Sequence, residues 1–437
     1  MKHLVAALLC ATATLPLSGF AQSSQRTEVT EAAAALKTQV VDWRRDIHQH
    51  PELGNRETRT AAKVADHLRS LGLEPTTGVA HTGVTAVLKG GRPGPRIALR
   101  ADMDALPVTE QTDVPFRSTV TTEYRGQTTG VMHACGHDAH VAILMGVAQA
   151  LVGMRDALPG EVLFVFQPAE EGAPEGEDGG AELMLKEGVF ERFRPDAVFG
   201  LHVGSGLNAD QLGVRAGPFM AASNDFRIVV NGRQAHGSRP WQAVDPIVTA
   251  AQIVGAAQTI VSRNLNLIQQ PAVVTFGAIN GGIRNNIIPD SVEMIGTIRT
   301  FDDGMRDQIY ARLGTIAEQI AAANGATVDA SIPHSHGYPV TVNDPALTER
   351  MRPSLAAVAG PDKLIDVPQT TGAEDFSFFA REVPGLFFNV GTTPVGQDPA
   401  QAPTNHSPLF YVDEAALDLG LRAMLQVTLD YLETPTG

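Results

Sequence analysis

Between about Thr30 and Leu73 apolar residues recur at three-to-four spacing. Ala32, Leu36, Val40, Val41 and Trp43, then Ala61, Val64, Leu68 and Leu71, predict two amphipathic helices, the second closed by Gly72. The rhythm then changes. Three short continuous apolar runs, 96–101, 162–166 and 197–201, predict buried strands of a mostly parallel sheet. Each run ends in reactive side chains: Asp102 and Asp104 after the first, Glu170 and Glu171 after the second, His202 after the third. Open α/β sheets bind their ligands at such carboxyl ends. The apolar run 141–151 predicts a helix that begins at the segment Met132-His133-Ala134-Cys135-Gly136-His137-Asp138-Ala139-His140.

Between about 222 and 333 the order becomes strand (225–231), helix (245–263), strand (272–279), strand (291–300), helix (304–324) and strand (327–332). This βαββαβ order predicts a compact ferredoxin-like domain inserted into an α/β domain. The chain returns through 339–345, with a helix near 345–359, a strand at 386–390 and a last helix from Asp413. The predicted organisation is therefore a leader at 1–21, an α/β domain from 22–221 and 334–437, and an inserted domain at 222–333. Apart from the Gly/Glu/Pro loop at 172–180, neither repeats nor low-complexity tracts are visible.

The leader reading rests on Lys2 and His3 before an apolar run at 4–17, followed by Gly19-Phe20-Ala21 at positions suited to a signal peptidase. Such a run is too short to remain as a membrane anchor, and Leu9 before Cys10 argues against lipid attachment. The expectation is an exported, periplasmic protein. Cleavage would leave Cys135 as the only thiol, with no intrachain disulfide. In an oxidising compartment a lone thiol is expected to be buried or coordinated. With 33 basic and 48 acidic residues the chain carries a formal charge of −15, which disfavours nucleic acid and anionic lipid as partners.

The 132–140 segment holds a thiol, three imidazoles and a carboxylate within nine residues. Cys135 and His137 suit a soft-to-borderline divalent metal, and Asp138 and His140 could anchor ligands from behind. A histidine-rich helix start around a small buried cysteine is the plainer alternative. Cys135 with His137, the pair Glu170-Glu171, His202, and His406 in Asn405-His406-Ser407-Pro408 together would make a two-metal site at the carboxyl edge of the sheet. Adjacent glutamates allow a division of labour, one coordinating metal while its neighbour faces the substrate as base. Taken singly, each piece has an ordinary reading: surface glutamates, a core histidine, a loop histidine.

The ordered set of motifs resembles the M20 family of binuclear metallopeptidases, the aminoacylases and carboxypeptidases, and specifically its amidohydrolase branch. The matching segments are His48-Gln49-His50-Pro51-Glu52, Arg100-Ala101-Asp102-Met103-Asp104-Ala105-Leu106-Pro107, 132–140, Gln167-Pro168-Ala169-Glu170-Glu171-Gly172, Gly200-Leu201-His202-Val203, Asn286-Ile287-Ile288-Pro289, Gly372-Ala373-Glu374-Asp375-Phe376 and His406-Ser407-Pro408. The resemblance implies two divalent metal ions, zinc, manganese, cobalt or nickel, held by Cys135, His137, Glu171, His202 and His406, with Cys135 bridging. It implies Glu170 as the general base that takes a proton from a metal-bridging water and passes it to the leaving amine. It implies that the inserted segment is a lid and dimerisation domain of a homodimer or higher homo-oligomer. There His236 would reach the partner subunit's site to stabilise the oxyanion, and Asn286 and Arg299 would hold the substrate carboxylate. Asp102, Asp138 and His140 fit supporting positions behind the ligands. His48 and His50 are expected in packing or cleft-edge hydrogen bonds, and Glu374 could touch the site.

One departure stands out. Many relatives carry a second histidine in the lid motif where this chain, reading His236-Gly237-Ser238-Arg239-Pro240-Trp241, has Trp241. The expected activity is hydrolysis of the amide of an N-acyl or N-aroyl amino acid. A carboxypeptidase or dipeptidase using the same chemistry, a periplasmic binding protein without turnover, and a protein with Cys135 as nucleophile or redox thiol are the competing readings. Glu170 argues against the binder, since a pure binding protein has no use for a base beside a metal-held water.

Overall fold

The computed structural model describes residues 18–335 and 337–433. The expected signal-peptide segment falls, over residues 1–17, outside the described residues.

The apolar runs build an eight-stranded sheet. Its middle consists of Pro159–Gln167, Arg92–Asp102, Ala197–Asn208 and Gly385–Thr393, mutually parallel and in that spatial order. These strands are buried along most of their length, which is why they read as continuous apolar runs. Thr76–Val79 and Gly83–Lys89 add antiparallel strands at one edge, and Leu212–Val214 and Leu364–Asp366 extend the other. The three- and four-residue edge strands are too short to show periodicity in the sequence.

Register brings the reactive ends level. Asp102 lies opposite Gln167, Arg100 opposite Gly200, and Asn389 opposite His202. The helix His137–Gly153 lies beneath this edge with nearly every residue buried, packed by Ser18–Gln49 and Ala415–Glu433. A helix apolar on all sides belongs in the interior, and here it carries the motif segment into the core.

The segment from Ala222 to Ser331 forms a second, antiparallel sheet in the order Ala272–Asn280, Ser291–Thr300, Ala222–Asn231, Thr327–Ser331. Two helices, Pro246–Thr259 and Asp303–Ala323, supply its separate apolar core with Phe226, Ile253, Ile298 and Leu313. Asp245 caps the first by accepting from the backbone of Ile247 and Val248, and Asp302 caps the second through Met305. With the strands numbered within this segment, the order 2-3-1-4 is that of a ferredoxin-like unit. The first of these helices continues into a wider turn at Ile260–Asn264.

Candidate active site

All five expected ligands converge at the carboxyl edge of the large sheet, each delivered by a different device. Gly136 starts the buried helix with φ 89°, a left-handed conformation that lets the chain turn between Cys135 and His137. A Cβ at this glycine would lie 2.3 Å from Cγ2 of Val203. Gly136→Ala is therefore expected to cost on the order of 1–3 kcal/mol and to displace His137, readable as a lowered melting temperature with loss of bound metal.

Ala169, just before the glutamate pair, also has positive φ (51°), and its N–H donates to Oε1 of buried Glu57 at 2.8 Å. His406 has φ 71°, and its N–H donates to the Ala134 carbonyl at 2.8 Å. The Asn405 side chain ties the same loop to the Cys135 and Val203 carbonyls, both at 3.1 Å. Strained backbone of this kind persists where surrounding bonds over-determine it.

Overlapping sets of donor atoms each lie within 4.8 Å of one another. Cys135 belongs to two of them, one with His137 and His202, the other with Glu171 and His406. Nδ1 of His202 donates to the Val203 carbonyl at 2.7 Å, which turns Nε2 toward the Cys135 sulfur at 3.4 Å, the nitrogen that would face a metal. Nδ1 of His137 likewise faces Oδ1 of Asp104 at 3.2 Å, and its buried Nε2 has no hydrogen-bond partner. A buried orphan nitrogen facing a thiol, imidazoles and carboxylates fits a borderline divalent ion. The residues present thus suit the implied metals.

Charges in the metal-free site point the same way. Burial and the Glu171 carboxylate push the Cys135 thiol up, but His202 and His137 outweigh them and hold it at about 6, favouring the thiolate. Glu170 is moved well above the usual carboxylate range by burial and by Glu374, Glu171 and Asp375. Glu171 is instead lowered: hydrogen bonding and charge from His406, with His137 close by, overcome its burial. Its carboxylate lies 3.0 Å from Nε2 of His406, whereas Glu170 lies 3.9 Å from Nε2 of His137 and has its backbone carbonyl bound by the Tyr338 hydroxyl at 2.5 Å. The two adjacent glutamates occupy different electrostatic environments.

Behind the donors, Asp102 accepts from Nδ1 of His140 at 2.5 Å, and Nε2 of His140 accepts from the Val203 N–H at 2.9 Å. Both ring nitrogens of His140 are thereby engaged, as expected of a supporting residue. Asp138 is one step further out than expected: its hydrogen bonds go to Arg44 (2.7 Å) and His48 (2.8 Å), not to a ligand imidazole. Consecutive helical residues face different directions, so Asp138 points to the N-terminal helix while His137 points to the donors. His48 is buried and bridges Asp138 to Glu110, whereas His50 bonds only its own helix at the Asp46 carbonyl.

Four residues take roles that were not assigned from the sequence. Asp104 orients His137 and accepts the Glu171 N–H at 2.9 Å. Arg100, fully buried, binds Asp102, Glu374 and Asp375 at 2.7–2.9 Å and Gln167 at 2.8 Å. Asn405 and Tyr338 fix the loops already described. The alternation Arg100-x-Asp102-x-Asp104 on one strand end was the available signal for the first two.

The second domain's candidates sit apart from this cluster within one chain. Asn286 is exposed, and its carbonyl accepts from the Gly237 N–H. His236 is exposed, with Nδ1 accepting from the Ser238 N–H at 3.1 Å. Arg299 is half-buried and bonds the Thr297 hydroxyl and the Ile298 carbonyl; among the described residues no carboxylate pairs with it. Trp241 is 75 % exposed. Among the described residues no helix is long and apolar enough to cross a membrane.

A family model described as peptidase family M20/M25/M40 matches residues 98–430. Thermostable carboxypeptidase 2 of Saccharolobus solfataricus is 40% identical over 390 residues, covering 88% of this chain and 94% of that protein. N-acetyl-L-cysteine deacetylase of Bacillus subtilis is 38% identical over 384 residues, covering 88% and 86%. The crystal structure of the Bacillus subtilis YXEP protein, described as a dinuclear metal-binding peptidase of the M20 family, superposes with a TM-score of 0.74 at 34% identity, covering 92% of this chain and 99% of that one.

Proposed function

The chain belongs to peptidase family M20/M25/M40 and is an amide-cleaving hydrolase, and from that premise we propose that it hydrolyses N-acyl amino acids whose carboxylate is free. The observation that carries this reading is the split environment of the glutamate pair: Glu171 is tied to His406, and Glu170 is buried beside His137 with its proton affinity raised.

Two divalent ions held by Cys135, His137, Glu171, His202 and His406 would supply Lewis acidity, polarising the scissile carbonyl and making water easier to deprotonate. Glu170 takes the proton of the attacking water on its carboxylate and delivers it to the departing nitrogen. Asp104 and the Val203 carbonyl hold the two ligand imidazoles in the tautomers that present Nε2. Arg299, with no acidic partner among the described residues and partly desolvated, is suited to grip the substrate carboxylate through its planar fork, and Asn286, whose carbonyl accepts from the Gly237 N–H, would reach it together with His236. In neutral His236, the Ser238 N–H occupies Nδ1, so Nε2 carries the proton and is free to donate to a developing oxyanion in a second copy of the chain. This assigns the inserted domain a lid and dimerisation role. We also propose that residues 1–21 direct export to the periplasm.

A carboxypeptidase reading is favoured by the name of the Saccharolobus relative. Hydrolysis of N-acetyl, N-benzoyl and long-chain N-acyl amino acids, compared with dipeptides on metal-quantified protein, separates the two. N-acyl amino acids are expected to exceed dipeptides in kcat/KM by about tenfold or more, the scale on which an unmatched polar group is rejected; the opposite order would replace the proposal by the peptidase reading.

A further inference from the structure

A cavity of about 470 Å³ borders the candidate metal site at one side, where Glu171 and Asp104, which orients His137, line it. Its lining is mixed: Arg56, Glu123, Arg125 and Glu175 contribute charge, and Leu53, Leu106 and Pro107, each only half-buried, with Tyr124, 38 % exposed, contribute a large apolar part. Partly exposed apolar side chains that share one concave wall beside reactive groups form the kind of lining that small ligands cover. Every lining residue comes from the range 53–175, so the inserted domain contributes none.

Tyr124 is placed by a small hairpin, Thr121–Tyr124 paired antiparallel with Gln127–Gly130. The two connecting residues, Arg125 and Gly126, both have positive φ (50° and 74°), the conformation of a type I′ turn whose twist matches the strands. An arginine is an uncommon occupant of such a position. Here its guanidinium lies 5.4 Å from the Tyr124 ring centroid, a cation-π contact that holds the ring at the cavity. Gly130 is anchored to Thr109 by a backbone-to-hydroxyl bond of 3.0 Å, fixing the hairpin base beside Pro107.

The geometry points to this cavity as the subsite for the acyl group, with Tyr124 as its specificity-determining residue and an aromatic or extended apolar acyl group as the preferred occupant. The inference rests on the proposed reading in one respect: if Arg299 and Asn286 grip the amino-acid carboxylate, that half of the substrate lies toward the inserted domain. The carbonyl substituent is then the half left to occupy a cavity that the inserted domain does not line.

The experiment uses the full, metal-loaded protein and ligand pairs that differ only in the carbonyl substituent. Benzohydroxamate and acetohydroxamate share one metal-binding head, and their dissociation constants read the cavity without turnover. Wild type is expected to prefer the benzoyl compound by about tenfold, the worth of one aromatic contact plus its buried area, and Tyr124→Ala to reduce that preference to about twofold or less. Leu53→Ala, at another lining residue from a different segment of the chain, is expected to reduce it as well. In turnover, the N-benzoyl to N-acetyl ratio of kcat/KM for one amino acid should fall in parallel with the hydroxamate preference. If only dipeptides are hydrolysed, the proposed substrate class fails, and the ratio between Phe and Gly at the carbonyl side then reads the same cavity. A hydroxamate preference unchanged in both variants would overturn the inference.

Discussion

Glu170→Gln is expected to leave the metal bound and to lower kcat by about 10²–10⁴-fold, the usual contribution of a positioned general base. The substitution keeps the shape and the hydrogen-bonding amide but removes the basic oxygen. Glu170 is not needed to hold the donor set, because Cys135, His137 and His202 form one group and Cys135, Glu171 and His406 another without it. Metal analysis and steady-state kinetics on the same preparation therefore separate the two roles. Cys135→Ala is expected to behave oppositely, losing metal and activity together, since the thiolate is common to both groups. A Glu170→Gln enzyme with wild-type kcat would remove Glu170 from the chemistry.

Arg100→Met is expected to destabilise the fold by about 3–5 kcal/mol, the cost of removing one partner from a buried charge network. Among the described residues Arg100 is the one arginine or lysine that bonds Asp102, Glu374 and Asp375, and all four side chains are buried. Burial alone would raise Asp102, but the Arg100 guanidinium, helped by His137 and His140, holds its carboxyl well below the ordinary range. Asp375 is left pushed up to about 8 by its burial, despite Arg100.

The sign of the pH dependence follows. A carboxyl lowered on folding contributes stability that is present above its unfolded value and is lost as pH falls. Without Arg100, burial would instead raise Asp102, which would bind a proton on folding and be least costly at low pH. The stability deficit of Arg100→Met should therefore shrink as pH is lowered from about 8 toward 5, between the raised and the unfolded carboxyl ranges. Denaturant unfolding of chelator-treated protein at several pH values checks this without interference from bound metal. A deficit that is constant with pH would mean that the guanidinium acts through packing alone.

The sequence was most legible where one physical signal dominated. Continuous apolar runs marked the parallel strands because both faces of those strands are covered. The 3.6-residue period marked the outer helices, and the βαββαβ order marked the inserted domain because its elements are long and separated by clear breaks. The hairpin bearing Tyr124 was not legible: its strands are short and mostly exposed, so burial imprints no pattern on them. Arg100 escaped notice for a different reason. It lies inside a strand otherwise read as apolar, and its role depends on Glu374 and Asp375, which are distant in sequence.

By itself the sequence determined the two kinds of sheet and the family resemblance, and through that resemblance the candidate metal ligands, since burial periodicity and motif order are properties of residue type and spacing. Only the tertiary structure decided how those side chains are used. Asp104 faces His137 while Asp138 turns away to Arg44, Glu171 meets His406 while Glu170 stays apart, and the inserted domain contributes nothing to the cavity beside Tyr124. Direction is set by strand register, by the first turn of a helix and by left-handed residues such as Ala169 and His406. Those are outcomes of packing between distant segments, which spacing along one chain does not encode.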